Sequence, residues 1–435
     1  MLKSRKLAAH EQAMEILNNL AASFHIVTIS RIKGILKEEL LRQALDITQS
    51  RHPFLNARIV EKSNSFWFKS GADKIPLLVV KKQQIKQWEE VVVEELNHKI
   101  DSDKNLLRVT LLNFEEDENT CYLITSIHHA IADASSCIQL HSEILTNCQN
   151  IAKGNGETSL NQLLQLASIQ KLIPKSLQGF TGAISNVVYL LNLKLQLLRY
   201  QPTTLNFEKS IPLESRSCGI VHKRLNSELT TRLVNTCRQK KTTVQTALGA
   251  AMLFAVAKKT KLSTKNNNNY SFLSSVDLRK RLQTQISNEH LGAVASAVPS
   301  FHNLLVNENF WDLARDIKQQ LKKVLASNDV FRQMLMFKMI VKPLIANPYQ
   351  SSVSAALTNI GRINIPHNYG KFELEEISFV TAQSAFGGVF AAAVSTFRGK
   401  MLLNFMFSQP SISTETIETL ASDMICIISD VCSQN

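Results

Sequence analysis

Two adjacent histidines followed by an aspartate form the cluster with the clearest chemical potential. His128 and His129 come directly after the apolar run 121–127, and Asp133 follows four residues after His129. The unperturbed pKa of an imidazole is about 6.5, so a histidine at the end of a strand can take a proton from a nucleophile at neutral pH. Asp133 can orient the imidazole, or it can hold the loop by pairing with an arginine. This cluster predicts acid–base chemistry.

The two histidines are expected to do different work. Successive side chains of a strand point to opposite faces, so one ring can face a cleft while the other packs into its own lobe. A zinc site needs three or four convergent ligands, and no third ligand stands at a usual spacing, so no metal is predicted. The alternative interpretation is a structural cluster of hydrogen-bonded side chains.

The elements around this cluster alternate between strand and helix. β-Branched and apolar runs predict strands, and apolar residues at helical spacing predict helices. The predicted strands are 25–32, 66–68, 77–80, 108–114, 121–127, 271–276, 379–382, 390–397 and 401–407, and the predicted helices are 36–45, 135–145, 242–258 and 417–428. A chain of 435 residues is longer than the roughly 250–300 residues that one hydrophobic core usually serves. The pattern therefore predicts an α/β chain with two lobes of similar size.

Composition narrows the function classes. Only 14 residues are glycine, which excludes a function that needs several glycine-built phosphate loops. The net charge of +13 favours an anionic small molecule or carrier, because no nucleic-acid-binding module is found. Seven widely spaced cysteines without a CxxC motif predict reduced thiols and a cytoplasmic protein.

The motif and its neighbours resemble a known family. The sequence His128-His129-Ala130-Ile131-Ala132-Asp133 matches the HHxxxD motif of the acyltransferases similar to chloramphenicol acetyltransferase, which include condensation domains, alcohol acetyltransferases and polyketide-associated acyltransferases. Residues 51–55 resemble the family's RHPxL segment, 276–279 its VDLR segment and 357–362 its SNxGR segment. The resemblance spans roughly residues 10–430.

The resemblance implies a fold and a set of roles. It implies two chloramphenicol-acetyltransferase-like lobes that form a pseudo-dimer with a tunnel between them. His129 would be the general base, and Asp133 would be structural with Arg279 as its candidate partner. His128, Asn359 and Gly361 would contribute to substrate binding, with Asn359 as one candidate donor to the oxyanion.

The implied reaction moves an acyl group from a thioester, either acyl-CoA or acyl-carrier protein, to an acceptor hydroxyl; an amine acceptor is the less favoured prediction. Such chemistry belongs to lipid, polyketide or secondary metabolism, and it needs no cofactor beyond the thioester substrate. We expect a monomer that does not bind nucleic acid. The predicted domains are an N-terminal lobe at 1–155, a helical crossover at 156–215 and a C-terminal lobe at 216–435.

Two features leave alternatives open. Ala134 stands where the family usually has glycine, and this departure supports a non-catalytic condensation-like module that binds a carrier protein or a lipid. The crossover stretch 160–200 is dense in leucine and isoleucine and has few acidic residues. It is either a set of helices packed against both lobes, or a surface that makes a peripheral contact with a membrane or a greasy substrate.

Overall fold

The computed structural model describes residues 3–155, 161–261 and 268–433. It is a mixed α/β structure with two six-stranded sheets, as expected from the alternating sequence pattern. The residues separate into two compact units, each of which contains one of these sheets. The α/β fold class and its two lobes are therefore confirmed.

Within the described residues, the strands are β1 (Arg5–Lys6), β2 (His25–Lys33), β3 (Ala57–Lys62), β4 (Ser65–Ser70), β5 (Leu77–Lys82), β6 (Leu107–Phe114), β7 (Thr120–His128), β8 (Ser217–Leu225), β9 (Asn269–Asp277), β10 (Ala295–Asn303), β11 (Ala355–Arg362), β12 (Asn368–Tyr369), β13 (Phe372–Thr381), β14 (Phe390–Phe397) and β15 (Lys400–Gln409). The α-helices are α1 (Ala9–Ala21), α2 (Glu38–Arg51), α3 (Trp88–Asn97), α4 (Ala134–Ala152), α5 (Ile169–Leu172), α6 (Gly179–Tyr200), α7 (Ser227–Gln239), α8 (Val244–Thr260), α9 (Phe310–Ala326), α10 (Asp329–Leu335), α11 (Phe337–Ala346) and α12 (Thr414–Ser433).

The first unit takes Met1–Leu172, Arg279–Val294 and Arg362–Ala382. Its main sheet has the strand order β12-β13-β2-β7-β6-β5, and a smaller sheet has the order β1-β4-β3. Every residue of β7 is buried, which follows from its position inside the sheet and its β-branched and apolar side chains. Helices α2 and α4 pack against each other, and α4 also packs on β2 and β13, so the site-bearing end of β7 lies in a packed core.

The second unit takes Ile173–Leu278, Ala295–Gly361 and Gln383–Asn435. Its sheet has the order β10-β9-β11-β14-β15-β8. Helix α8 forms the centre of the core: nearly all of its small and apolar side chains are buried, and it packs against α9 and α12. A helix that is apolar on most sides is typical of such a central position.

The two units are not contiguous in sequence, because Arg279–Val294 and Arg362–Ala382 join the first unit from the second half of the chain. The predicted domain boundaries near 155 and 215 stay a prediction, and residues 156–160, next to the first boundary, lie outside the described part. Across the described residues, no helix is both long enough and apolar enough to cross a membrane. All seven cysteines are described, and none is disulfide-bonded.

Candidate active site

The loop between β7 and α4 carries the histidine motif. Strand β7 ends at His128, and α4 begins at Ala134. Asp133 is the N-cap residue of α4: its Oδ1 accepts a hydrogen bond from the backbone N–H of Ser136 at 3.0 Å. An aspartate cap satisfies one of the N–H groups that have no partner inside a helix. The motif therefore places His129 in a short loop that is anchored at both ends.

Asp133 also forms a buried ion pair with Arg279. The Nη1 of Arg279 donates to Oδ2 of Asp133, and the two side chains are 1% and 5% exposed. The same Oδ2 accepts the backbone N–H of Val294 at 3.2 Å. Nη2 of Arg279 in turn donates to the carbonyls of His290 and Gly292, at 3.4 and 3.5 Å. These bonds connect the histidine loop to Arg279–Val294 within the first unit.

The imidazole of His129 has a defined tautomer. Its Nδ1 lies 2.8 Å from the carbonyl oxygen of Ala132. A carbonyl oxygen can only accept, so Nδ1 must carry the proton and Nε2 of the neutral ring must carry the lone pair. The backbone of the loop, and not the carboxylate of Asp133, orients this ring. The arrangement leaves Nε2 as the basic atom.

The surroundings of His129 keep the ring neutral. Its side chain is half-buried, and the ring of Phe24 stacks on it with a centroid separation of 5.5 Å and an interplanar angle of 22°. Burial lowers the pKa of His129 below 6.5, because the charged imidazolium loses hydration, although the nearby Asp133 carboxylate acts in the opposite direction. A neutral imidazole at neutral pH is the form that a general base requires.

His128 has a different environment from His129. It is fully buried, its Nδ1 accepts the backbone N–H of Ala130 at 3.1 Å, and its Nε2 lies 2.9 Å from Oε2 of Glu15. Both ring nitrogens therefore face polar atoms of the protein. This ring packs inside the first unit, and its bond to Ala130 holds the start of the loop. Its contact with substrate stays a prediction.

Glu15 contacts His128 and belongs to the surroundings of the motif, although no sequence motif pointed to it. Oε1 of this buried carboxylate accepts hydrogen bonds from Ser102 and Asn19, each at 2.8 Å. Burial by itself would raise the pKa of Glu15, but the contacts with His128, Ser102 and Asn19 outweigh it and lower that pKa. The only sequence signal was an acidic residue on the same face of α1 as Glu11 and Asn18, which are also buried.

The RHP segment has a structural role beside the motif. Arg51 donates to Oε2 of Glu143 on α4 at 2.5 Å and to Oε2 of Glu289 at 2.7 Å. Nε2 of His52 lies 3.0 Å from the same oxygen of Glu143. Arg51, at the end of α2, therefore links α4 to the Arg279–Val294 segment, the two elements that the Asp133–Arg279 pair also joins.

Ala134 does not distort the loop. It is the first residue of α4, and its backbone does not have a positive φ angle. A glycine is required only where φ is positive or a side chain would collide, so alanine is tolerated at this position. The departure from the family pattern thus gives no structural support to a non-catalytic protein.

Three further histidines of the first unit are fully buried and kept neutral. Burial lowers the pKa of His10 and of His25 to about 4, and the pKa of His141 to about 3. Nε2 of His25 lies 3.0 Å from the carbonyl oxygen of Glu95, so it donates. These rings are buried in the protein core.

Asn359 and Gly361 lie on β11, in the second unit. Oδ1 of Asn359 accepts the backbone N–H of Gly361 at 2.8 Å, which leaves the side-chain N–H groups of Asn359 as its donors. Gly361 has φ +71° and no atom near the position of a Cβ, so its conformation, and not lack of space, requires glycine. The substrate-binding role of both residues, like the tunnel, stays a prediction.

A groove of about 540 Å³ lies within the second unit, between α6 and the β10, α9 and α10 elements. Ile184, Val188 and Leu193 supply apolar lining, and Arg332 and Asp329 supply charge. No histidine lines it, so it offers no acid–base group of the kind that the motif provides. Among residues 3–155, 161–261 and 268–433, no group of three or more His, Cys, Asp or Glu side chains is arranged to hold a metal ion.

Two family models match the chain. The condensation domain model matches residues 12–164, and the model described as phthiocerol/phthiodiolone dimycocerosyl transferase C-terminus matches residues 214–409. A curated relative, the probable alcohol acetyltransferase FCK4 of Fusarium pseudograminearum, is 21% identical over 332 residues, which cover 71% of this chain and 67% of the relative.

Solved structures share the fold. The trichothecene 15-O-acetyltransferase TRI3 of Fusarium sporotrichioides superposes with a TM-score of 0.76 and 12% identity, covering 99% of this chain and 95% of that one. The polyketide synthase associated protein 5 of Mycobacterium tuberculosis has a TM-score of 0.71 and 16% identity, with 98% of each chain covered. The family-model matches and the curated relative indicate an acyltransferase or condensation-type activity, the transfer of acyl groups.

Proposed function

We propose that this chain, which belongs to the acyltransferases similar to chloramphenicol acetyltransferase, transfers an acyl group from a thioester to an acceptor hydroxyl with His129 as general base. The observation that carries the proposal is the hydrogen bond from Nδ1 of His129 to the carbonyl of Ala132, at 2.8 Å. That bond fixes the tautomer with a basic Nε2 on a half-buried, neutral ring.

The reaction needs two proton transfers and no covalent enzyme intermediate. Nε2 of His129 accepts the proton of the acceptor hydroxyl as its oxygen attacks the thioester carbonyl carbon. The tetrahedral intermediate then collapses, the carbon–sulfur bond breaks, and the departing thiolate takes the proton from the imidazolium. The products are an ester and a thiol, and the ring returns to its neutral form.

The fixed elements of the first unit would contribute chiefly orientation. Binding and aligning the two reactants can lower the activation barrier by about 7–11 kcal/mol. A general base typically raises the rate by about a further 10²–10⁴-fold. Asp133 and Arg279 hold the loop, and Ala132 holds the ring. None of these three needs to contact substrate to support the reaction.

We propose acyl-CoA or acyl-carrier protein as the donor, since both present the acyl group as a thioester, and the net charge of +13 suits either anionic partner. A hydroxyl acceptor is favoured over an amine by two relatives, one named an alcohol acetyltransferase and one a 15-O-acetyltransferase. The thioester is a substrate, and we propose no further cofactor.

The test compares wild type with His129→Gln in ester formation from a panel of acyl-CoA and acyl-carrier-protein donors with alcohol acceptors. We expect kcat to fall by about 10²–10⁴-fold while the donor's dissociation constant stays within about twofold. His98→Gln is the matched control, because His98 is an exposed histidine of the same unit. It should leave kcat unchanged.

Two results would contradict the proposal. The first is a His129→Gln enzyme that keeps most of its kcat. The second is a wild-type protein that binds acyl-carrier protein or lipid but forms no ester or amide with any donor, which would establish the non-catalytic binding module instead.

A further inference from the structure

Helix α6 has one face that packs against the rest of the second unit and one face that is exposed. The face that touches the second unit carries buried or half-buried residues at helical spacing, namely Gly182, Asn186, Tyr189, Leu193, Leu197 and Tyr200. The opposite face carries large apolar side chains that are 50–81% exposed, namely Phe180, Ile184, Val187, Leu191, Leu195 and Leu198. Ile184 stands at the border of this face, where it also lines the groove. We call these six residues the outer stripe.

Contacts of the inner face fix which side of α6 is exposed. The hydroxyl of Tyr189 donates to Gln333 on α10, and the ring of Tyr200 stacks on Phe301 with centroids 5.1 Å apart. A methyl group at Gly182 would overlap the backbone of Leu177, so this turn of the helix is tightly packed. The outer stripe therefore cannot be buried by rotation of α6 on its own unit.

An exposed apolar stripe of this length needs an explanation. Phe180 and Leu198 are 18 residues apart, so the stripe is about 27 Å long at 1.5 Å per residue. Single exposed apolar residues are normal on soluble proteins, but contiguous apolar patches mark interaction surfaces. Of the two interpretations of the crossover stretch, the exposed surface is the one that fits α6.

Charge indicates what the outer stripe contacts. The sequence between Glu157 and Glu208 has 50 consecutive residues without an acidic side chain, and four of them are lysine or arginine. At about 100° per residue, Lys194 lies about 60° to one side of Leu191 and Arg199 about 80° to the other. Both are exposed, so an ammonium and a guanidinium flank the apolar stripe.

We propose that the outer stripe of α6 docks on an anionic lipid surface. An amphipathic helix with apolar residues on one face and basic residues at its borders lies in the plane of the headgroups, with its apolar face in the acyl region. Lys194 and Arg199 can extend toward lipid phosphates while their stems remain in contact with apolar chains.

A bilayer fits the outer stripe better than a protein partner does. All six side chains of the stripe are hydrocarbon, and protein interfaces carry about one hydrogen bond per 100–200 Å² of buried area. A lipid surface requires no such bonds in its apolar layer. A second copy of the chain would also bring the basic borders of two α6 helices together. This proposal does not depend on acyl transfer.

The experiment is co-sedimentation of the full chain with vesicles of phosphatidylcholine containing phosphatidylglycerol, and with vesicles of phosphatidylcholine alone. Wild type should bind the anionic vesicles more strongly, and this preference should weaken as salt is raised. Replacing Val187, Leu191 and Leu195 together by glutamate should lower the partition coefficient by at least about 100-fold. Replacing Lys194 and Arg199 by glutamine should lower it by about fivefold per residue on anionic vesicles only.

The matched control is a triple glutamate variant at exposed apolar residues elsewhere, Ile35, Leu78 and Leu305, which should bind vesicles as wild type does. Circular dichroism and thermal unfolding verify that each variant folds. The proposal is overturned if wild type does not sediment with vesicles. It is also overturned if the α6 triple variant converts a dimer to a monomer in light scattering, or if it abolishes binding to an acyl-carrier protein without changing vesicle binding.

Discussion

The buried ion pair between Asp133 and Arg279 allows a quantitative test of how the histidine loop is held. Both side chains are at most 5% exposed, so removing one charge leaves the other buried without compensation. Such a loss typically costs about 3–5 kcal/mol in the free energy of unfolding. We expect Asp133→Asn to lose this amount because it removes the negative charge and leaves the charge of Arg279 buried without compensation. The N-cap of α4 is kept, since asparagine caps a helix as well as aspartate does, so the loss reports the ion pair alone.

The double variant separates the ion pair from other effects. Arg279→Met alone should also cost about 3–5 kcal/mol, since it leaves the Asp133 carboxylate buried. When both changes are combined, neither charge remains, and the loss should be smaller than the sum of the two single losses by about 2–3 kcal/mol. Asp101→Asn breaks an exposed ion pair with Lys104 in the same unit and should cost less than about 1 kcal/mol.

The assay is urea unfolding followed by tryptophan fluorescence. Trp67 and Trp88 lie in the first unit and Trp311 lies in the second. All variants are therefore compared in a Trp311→Phe background, in which emission reports the first unit alone. Additivity of the two single changes within about 0.5 kcal/mol would refute the reasoning, and so would a cost for Asp133→Asn no larger than that of Asp101→Asn.

Two further predictions concern protonation. Because burial lowers the pKa of His129, kcat/KM for acyl transfer should fall on the acid side with a midpoint below pH 6.5, and a midpoint above 6.5 would contradict a neutral buried base. Three buried histidines, His10, His25 and His141, stay neutral in the folded protein but bind a proton near pH 6.5 in the unfolded chain. As pH falls from 6.5 to 4, each should therefore lower the free energy of unfolding of the first unit by about 3 kcal/mol. The urea midpoint of a Trp311→Phe variant, which reports the first unit, should therefore drop more than that of a Trp67→Phe/Trp88→Phe variant, which reports the second unit. Equal drops would disprove this assignment.

Local periodicity was sufficient to predict most elements near the site. The apolar run 121–127 became β7, and the predicted helix 135–145 lies within α4. The predicted candidate partner Arg279 lies against Asp133 in the structure. The two elements depend on short stretches of sequence, in which side-chain alternation and helical spacing act directly on the backbone. The pair of Asp133 and Arg279 spans 146 positions, and its prediction came from the family resemblance.

Features that join distant segments could not be derived from periodicity. Glu15 contacts His128 across 113 positions, and Arg51 contacts Glu289 across 238. The carbonyl that orients His129 belongs to Ala132, a backbone group that no side-chain motif records. Long-range pairs and backbone acceptors depend on the whole fold.

The pairing of β13 with β2 has a consequence for biosynthesis. Strand β13 aligns Glu373–Thr381 alongside Lys33–Ile26 in the first sheet. A nascent chain leaving the ribosome must therefore hold β2 without this neighbour until residue 381 has emerged. An unpaired strand edge recruits other chains, so gene fragments that stop near residue 215 should aggregate during expression, although they encode the whole HHxxxD motif.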